Sequence, residues 1–68
     1  MEEYSNSLIR EAIDEYVHSE RDRAILKRRL VDGICFEPLA DEFQMSVRQV
    51  KNIVYRGQER VFAHLVKK

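Results

Sequence analysis

Apolar positions recur three and four residues apart over most of the chain, and no strand-like alternation of useful length interrupts them. The pattern predicts four helices. Over about residues 3–18, Tyr4, Leu8, Ile9, Ala12, Ile13, Tyr16 and Val17 make a wide stripe on one face. Over about 20–32, Ala24, Ile25, Leu26, Leu30 and Val31 supply the apolar face. Ser19 precedes that helix as its N-cap, and Glu20 and Asp22 suit the positive end of its dipole. Gly33 follows it as a residue able to take the left-handed conformation that ends helices. A short helix over about 36–43 tolerates Pro38 in its first turn and turns Leu39, Ala40 and Phe43 inward. The last helix, over about 47–66, carries Val50, Val54, Gly57, Val61 and Leu65 along one stripe with Phe62 beside them.

Gln44-Met45-Ser46 leave three residues between the third and fourth helices. So short a connection forces a sharp angle, the geometry of a helix-turn-helix over residues 36–55. Ser46 and Gln49 form a Ser-x-x-Gln capping box that fixes where the last helix starts. Gly57 in a helix interior costs about 1 kcal/mol against alanine. Its place on the buried stripe predicts a close-packed neighbour there, taken to be the first helix. The expected fold is all-α: one compact four-helix domain over residues 1–68, with a helix-turn-helix and no winged element.

Size and composition narrow the chemistry. A chain of 68 residues buries only about 60% of its unfolded surface and has no room for a cleft between lobes. Glu11, Asp14 and Glu15 are grouped, but they lie on a short helix with no cleft to raise a pKa, so an enzyme is not expected. No apolar run approaches the ~20 residues of a membrane span, and no signal-peptide pattern opens the chain. The single cysteine, Cys35, excludes an internal disulfide and makes the cytoplasm the default compartment. It is read as a small buried residue. His18 and His64 show no ligand spacing, so neither a metal nor another cofactor is expected, and His64 should meet the helix dipole or solvent.

The net charge is zero, which by itself argues against a nucleic-acid partner. Its distribution argues the other way. Residues 1–18 hold Glu2, Glu3, Glu11, Asp14 and Glu15 against Arg10, whereas residues 44–68 hold Arg48, Lys51, Arg56, Arg60, Lys67 and Lys68 against Glu59. An acidic first helix cannot sit on phosphate, so any nucleic acid belongs on the opposite side. A second basic group, Arg21, Arg23, Lys27, Arg28 and Arg29, is expected to divide between the DNA backbone and acidic partners within the fold.

The start of the last helix concentrates the candidate chemistry. With Val47, Val50, Ile53 and Val54 facing inward, Arg48, Gln49, Lys51 and Asn52 fall on the outer side of the first two turns. Arginine pairs well with guanine edges, and asparagine or glutamine with adenine edges. A helix N-terminus also favours phosphate. The bland alternative is an ordinary solvated face, on which Tyr55 lays its ring along the helix surface.

Four motifs in order carry a family resemblance. They are Arg21-Asp22-Arg23, Asp32-Gly33, Phe36-Glu37-Pro38-Leu39-Ala40, and Ser46-Val47 followed by Val50-Lys51. Together, across residues 19–62, they resemble the C-terminal domain of bacterial sigma factors, the extracytoplasmic-function type above all. The resemblance implies a bacterial or phage protein that binds double-stranded DNA at the upstream promoter element and contacts the β-subunit flap of RNA polymerase. It implies base contacts from Arg48, Gln49 and Asn52, and backbone contacts from Ser46, Lys51, Tyr55 and Arg56. The family's other domain is missing, so a stand-alone domain is expected rather than a complete initiation factor. Gln44 stands where such turns usually have glycine, which predicts a non-glycine residue at positive φ. Gln58 and Glu59 stand where the family is often basic, which weakens phosphate affinity.

The alternative reading is a protein-interaction module that binds RNA polymerase or a sigma factor without reading DNA. A homodimer is a further variant, with the first helix, Tyr4 and Tyr16 as the surface left over for it.

Overall fold

The computed structural model describes residues 5–66. Tyr4, Lys67 and Lys68 lie outside the described residues, and Ser5 is extended, so the first helix starts at Asn6 and not near residue 3 as expected. The chain is all-α, with α1 at Asn6–Tyr16, α2 at Glu20–Leu30, α3 at Phe36–Phe43 and α4 at Val47–Val66.

Each helix boundary has a local cause. Ser5 caps α1, its Oγ accepting the Leu8 N–H at 3.1 Å. The helix ends at Tyr16, two residues short of the sequence expectation, because Val17 is extended with φ −111° and ψ 119°. Arg23 Nε donates to the Val17 carbonyl, and the Val17 side chain turns into the core. Ser19 then caps α2 by accepting the Asp22 N–H at 3.3 Å. That helix ends at Leu30 rather than residue 32. Gly33, at φ 73°, reverses the chain so that the Ile34 N–H reaches the Arg28 carbonyl at 3.1 Å.

α3 ends on a Schellman motif built around a glutamine. Gln44 adopts the left-handed conformation, φ 55° and ψ 48°, as its place in the turn predicts. Its N–H reaches the Asp41 carbonyl at 3.2 Å, and the Met45 N–H reaches the Ala40 carbonyl at 2.9 Å. Holding a non-glycine residue there costs about 1–2 kcal/mol.

α4 is the spine. Twenty residues at about 1.5 Å rise each make it roughly 30 Å long, in a molecule measuring 35 × 23 × 17 Å. It packs against α1, α2 and α3; α2 also touches α1 and α3, whereas among the described residues α1 and α3 form no packed pair. The core is Ile9, Ala12, Ile13 and Val17, with Ile25 and Leu26, Leu39 and Ala40, and the α4 stripe Val50, Val54, Val61 and Leu65. Val47, Ile53, Phe43, Leu30 and Val31 are half-buried at its margin.

One expectation about packing is corrected. The helix that approaches Gly57 is α2, not the first helix. A Cβ placed on Gly57 would overlap Leu26 Cδ1 and lie 2.8 and 3.0 Å from its Cδ2 and Cγ. Leu26 is itself fully buried, so it has nowhere to retreat. His64 is exposed in the last turn of α4, as expected, and has a partner within the fold as well. Its ring stacks on Tyr16 with centroids 3.7 Å apart and planes 3° from parallel, tying the end of α1 to the last turns of α4. The α1 stripe is thereby used inside the fold.

Charged pairs join the helices on the outside. Lys27 Nζ lies 2.8 Å from Asp14 Oδ1, and this hydrogen bond holds the Asp14 carboxyl below its ordinary range. Arg28 grips Glu42 of α3 through Nη2 at 2.8 Å and Nε at 3.2 Å, and reaches Asp32 at 3.6 Å. The Glu42 bond raises the Arg28 pKa further.

Gly57→Leu should lower stability by about 1–3 kcal/mol through overpacking against Leu26. Chemical denaturation checks it, and an unchanged midpoint would show that α2 and α4 can separate freely there. Gln44→Gly should instead raise stability by about 0.5–1 kcal/mol, the left-handed strain it relieves less the entropy glycine loses on folding. A lower melting temperature for that variant would mean the Gln44 side chain holds the turn.

Candidate functional site

The capping box fixes the exposed end of α4. Ser46 Oγ accepts the Gln49 N–H at 3.1 Å, and Gln49 Oε1 accepts the Ser46 N–H at 3.1 Å and its hydroxyl at 3.3 Å. This reciprocal closure holds the first turn without help from the core. It also commits groups that the sequence assigns to DNA. The Ser46 hydroxyl and N–H are both engaged with Gln49. Gln49 keeps only its amide N–H groups free, so in this rotamer it can donate to a ligand but cannot form the two-bond pair that reads adenine.

Beyond the cap, all seven sequence-predicted residues are exposed: Ser46, Arg48, Gln49, Lys51, Asn52, Tyr55 and Arg56. At about 100° per residue they sort into three bands along α4. Arg48 and Asn52 lie on the crest, opposite the buried line of Val50, Val54 and Val61. Lys51 and Tyr55 lie on the flank towards Phe36 of α3. Gln49 and Arg56 lie on the other flank, towards the start of α2. Glu59 continues the crest beyond Asn52 and places a negative charge there.

The Phe36 flank is an aromatic and cationic cluster. Tyr55, a residue 51% exposed, sets its ring T-shaped to that of Phe36 at 6.1 Å and 75°. Lys51 Nζ stands 5.6 Å from the Phe36 centroid and Arg29 Cζ 4.4 Å. Arg29 also donates to the Ile34 carbonyl at 3.0 Å, so its guanidinium is fixed to the α2–α3 connection. Tyr55 therefore packs its ring locally and still presents half its surface.

The opposite flank is a groove of about 510 Å³ between α4 and the N-terminal end of α2. Val17, Leu26, Met45, Ile53 and Gly57 are the apolar part of its lining, and His18, Ser19, Arg21, Asp22, Gln49, Asn52, Arg56 and Arg60 the polar part. Gly57 lies in this lining at the point where Leu26 already occupies the space a side chain would take. Sequence reasoning assigned no role to Arg60, although its spacing of four from Arg56 puts both on one face. Arg21 joins them only through the packing of α2 on α4, which no local pattern announces.

The second basic group divides unevenly. Arg23, Lys27, Arg28 and Arg29 are held by Val17, Asp14, Glu42 and Phe36 respectively. Arg21 lies at the groove, its Nε 3.4 Å from Asp22 Oδ1. Cys35 is exposed, not buried as the sequence suggested, because it sits at the N-cap of α3, where its side chain makes no capping bond.

Among the described residues no group of three or more His, Cys, Asp or Glu side chains is placed to hold a metal ion, and no helix is long and apolar enough to cross a membrane. What this face supplies is positive charge, amide and guanidinium donors, and ring faces, the chemistry of binding an anionic surface. Comparison with protein-family models, with curated proteins and with solved structures returns no match.

Ser46→Ala should cost about 1 kcal/mol of stability by removing the cap. Equilibrium denaturation measures the loss. A variant as stable as the native chain would mean that the Gln49 side of the box suffices alone.

Proposed function

We propose that the chain binds duplex DNA as a transcription regulator, with α3, the 44–46 turn and α4 acting as a helix-turn-helix. The start of α4 enters the major groove, where Arg48 and Asn52 on the crest meet base edges. Gln49 joins them through its free amide N–H groups, or as a full adenine reader once its side chain leaves the cap. Lys51, Tyr55 and Arg56 hold the backbone on either flank, and Ser46 contributes chiefly by setting the helix start.

One observation carries the reading. Most basic residues of α2 are consumed in holding the helices together, while those of α4 stand exposed around a rigidly capped helix end. The motif resemblance to sigma-factor C-terminal domains supports the same reading and points to a promoter element as the target, in the cytoplasm. Glu59 on the crest sets a limit, since a duplex following the whole of α4 would bring phosphate against its carboxylate.

The exposed Tyr55 favours a second reading. An aromatic residue that is 51% exposed suits a protein partner such as RNA polymerase or a sigma factor.

Fluorescence anisotropy on duplex DNA across a salt titration separates the two. Arg48→Ala should cost about 1–3 kcal/mol on a specific site and relax base preference there. Lys51→Ala should weaken binding to all sequences alike and lower the salt slope by about one. A native chain that binds no duplex at low salt would reject DNA recognition and leave the protein partner.

A further inference from the structure

We infer that the groove between α2 and α4 is a seat for the sugar–phosphate backbone of one DNA strand, with Arg60 and Arg21 as phosphate contacts and Asp22 as a brake on affinity. The inference rests on the DNA-binding reading and adds to it a second contact line, outside the residues that the motif resemblance designates.

The groove has the two chemistries a nucleotide backbone requires. Part of its lining is apolar, with the half-buried side chains of Met45 and Ile53 beside Gly57. Another part is cationic, with Arg56 and Arg60 one turn apart on α4 and Arg21 opposite them on α2. Deoxyribose presents carbon to an apolar lining of that kind, and phosphate oxygens accept from such guanidinium groups. From Gln49 to Arg60 the α4 side of the groove runs on the order of 16 Å, room for more than one nucleotide.

The flank is also continuous with the reading face. Gln49 and Asn52 belong both to the groove lining and to the proposed base contacts. A strand whose bases meet the crest therefore has its backbone beside the groove, and Glu59, which shares a surface with Arg56 and Arg60, marks the limit of that line on α4. At the α2 end, Ser19 takes up the N–H groups of Asp22 and Arg23. The N–H groups of Glu20 and Arg21 are the ones that helix geometry leaves pointing outward there.

Asp22 sets the size of the effect. Its carboxylate lies 3.4 Å from Arg21 Nε in the same groove. The Arg21–Asp22 pair contributes no net charge, so the groove's excess is carried by Arg56 and Arg60. Removing the Asp22 charge frees Arg21 for phosphate.

The test is anisotropy of the whole chain with random-sequence duplex across a salt titration, comparing native, Arg60→Ala and Asp22→Asn proteins. Thermal unfolding confirms that each variant is folded. Arg60→Ala should weaken binding several-fold on every sequence and reduce the salt slope by about one phosphate. Asp22→Asn should tighten binding several-fold and steepen the slope. If both variants bind with native affinity and slope while Arg48→Ala still loses affinity, the groove is not a backbone seat and the reading of α4 stands without it. If Asp22→Asn weakens binding, the carboxylate orients Arg21 and does not oppose phosphate, which overturns its assigned role. If the native chain fails to bind duplex at low salt, the inference falls together with the reading beneath it.

Discussion

The contact between Leu26 and Gly57 governs the rest of the molecule. α2 can lie against α4 at that depth only because α4 has no side chain there, and Leu26 fills the vacancy. The contact sets how closely α2 approaches α4 beside the groove that both helices line. It also anchors the middle of a helix whose two halves do different work. The second half packs Val61 and Leu65 against its neighbours, while the first exposes Arg48, Asn52 and Lys51 around Val50 and Val54. A glycine that costs helix propensity is retained because the helix–helix approach needs it.

Charge in this small domain is spent in two ways. Lys27 and Arg28 bind Asp14 and Glu42 and link α2 to the helices on either side. These pairs are solvent-exposed, so each adds little stability in water. Their larger effect is on the surface potential, because they neutralise the middle of α2 and leave uncompensated cations beside α4. The zero net charge thus conceals a partition between cations engaged in the fold and cations turned outward.

The helices were legible in the sequence because each has a local signal: Ser19 and Ser46 at the starts, Gly33 past an end, and an apolar face in every segment. Gln44 was legible too, since a three-residue turn without glycine has to hold some other residue at positive φ. What escaped was tertiary. Gly57 announces a close neighbour, but periodicity does not say which helix supplies it. The stack of His64 on Tyr16, and the groove lined by both Arg21 and Arg60, bring together residues more than thirty positions apart. The early end of α1 has the same origin, because Val17 leaves the helix to bury its side chain and to offer its carbonyl to Arg23. At the candidate site, exposure of the seven residues follows from the period, whereas the capture of the Gln49 amide oxygen by Ser46 depends on a rotamer.

The Tyr16–His64 stack lies at the far end of α4 from the cap, roughly 24 Å along the axis from Arg48 to His64. The chain has no tryptophan and only three tyrosines. The aromatic resonances of this pair, displaced by mutual ring currents, therefore form a built-in gauge of whether α1 is docked. Tyr55, near the middle of α4, supplies a second ring whose own resonances report on the exposed flank. One molecule thus carries two natural probes, one for integrity of the fold and one for occupancy of the proposed interface, and each can be followed without attaching a label.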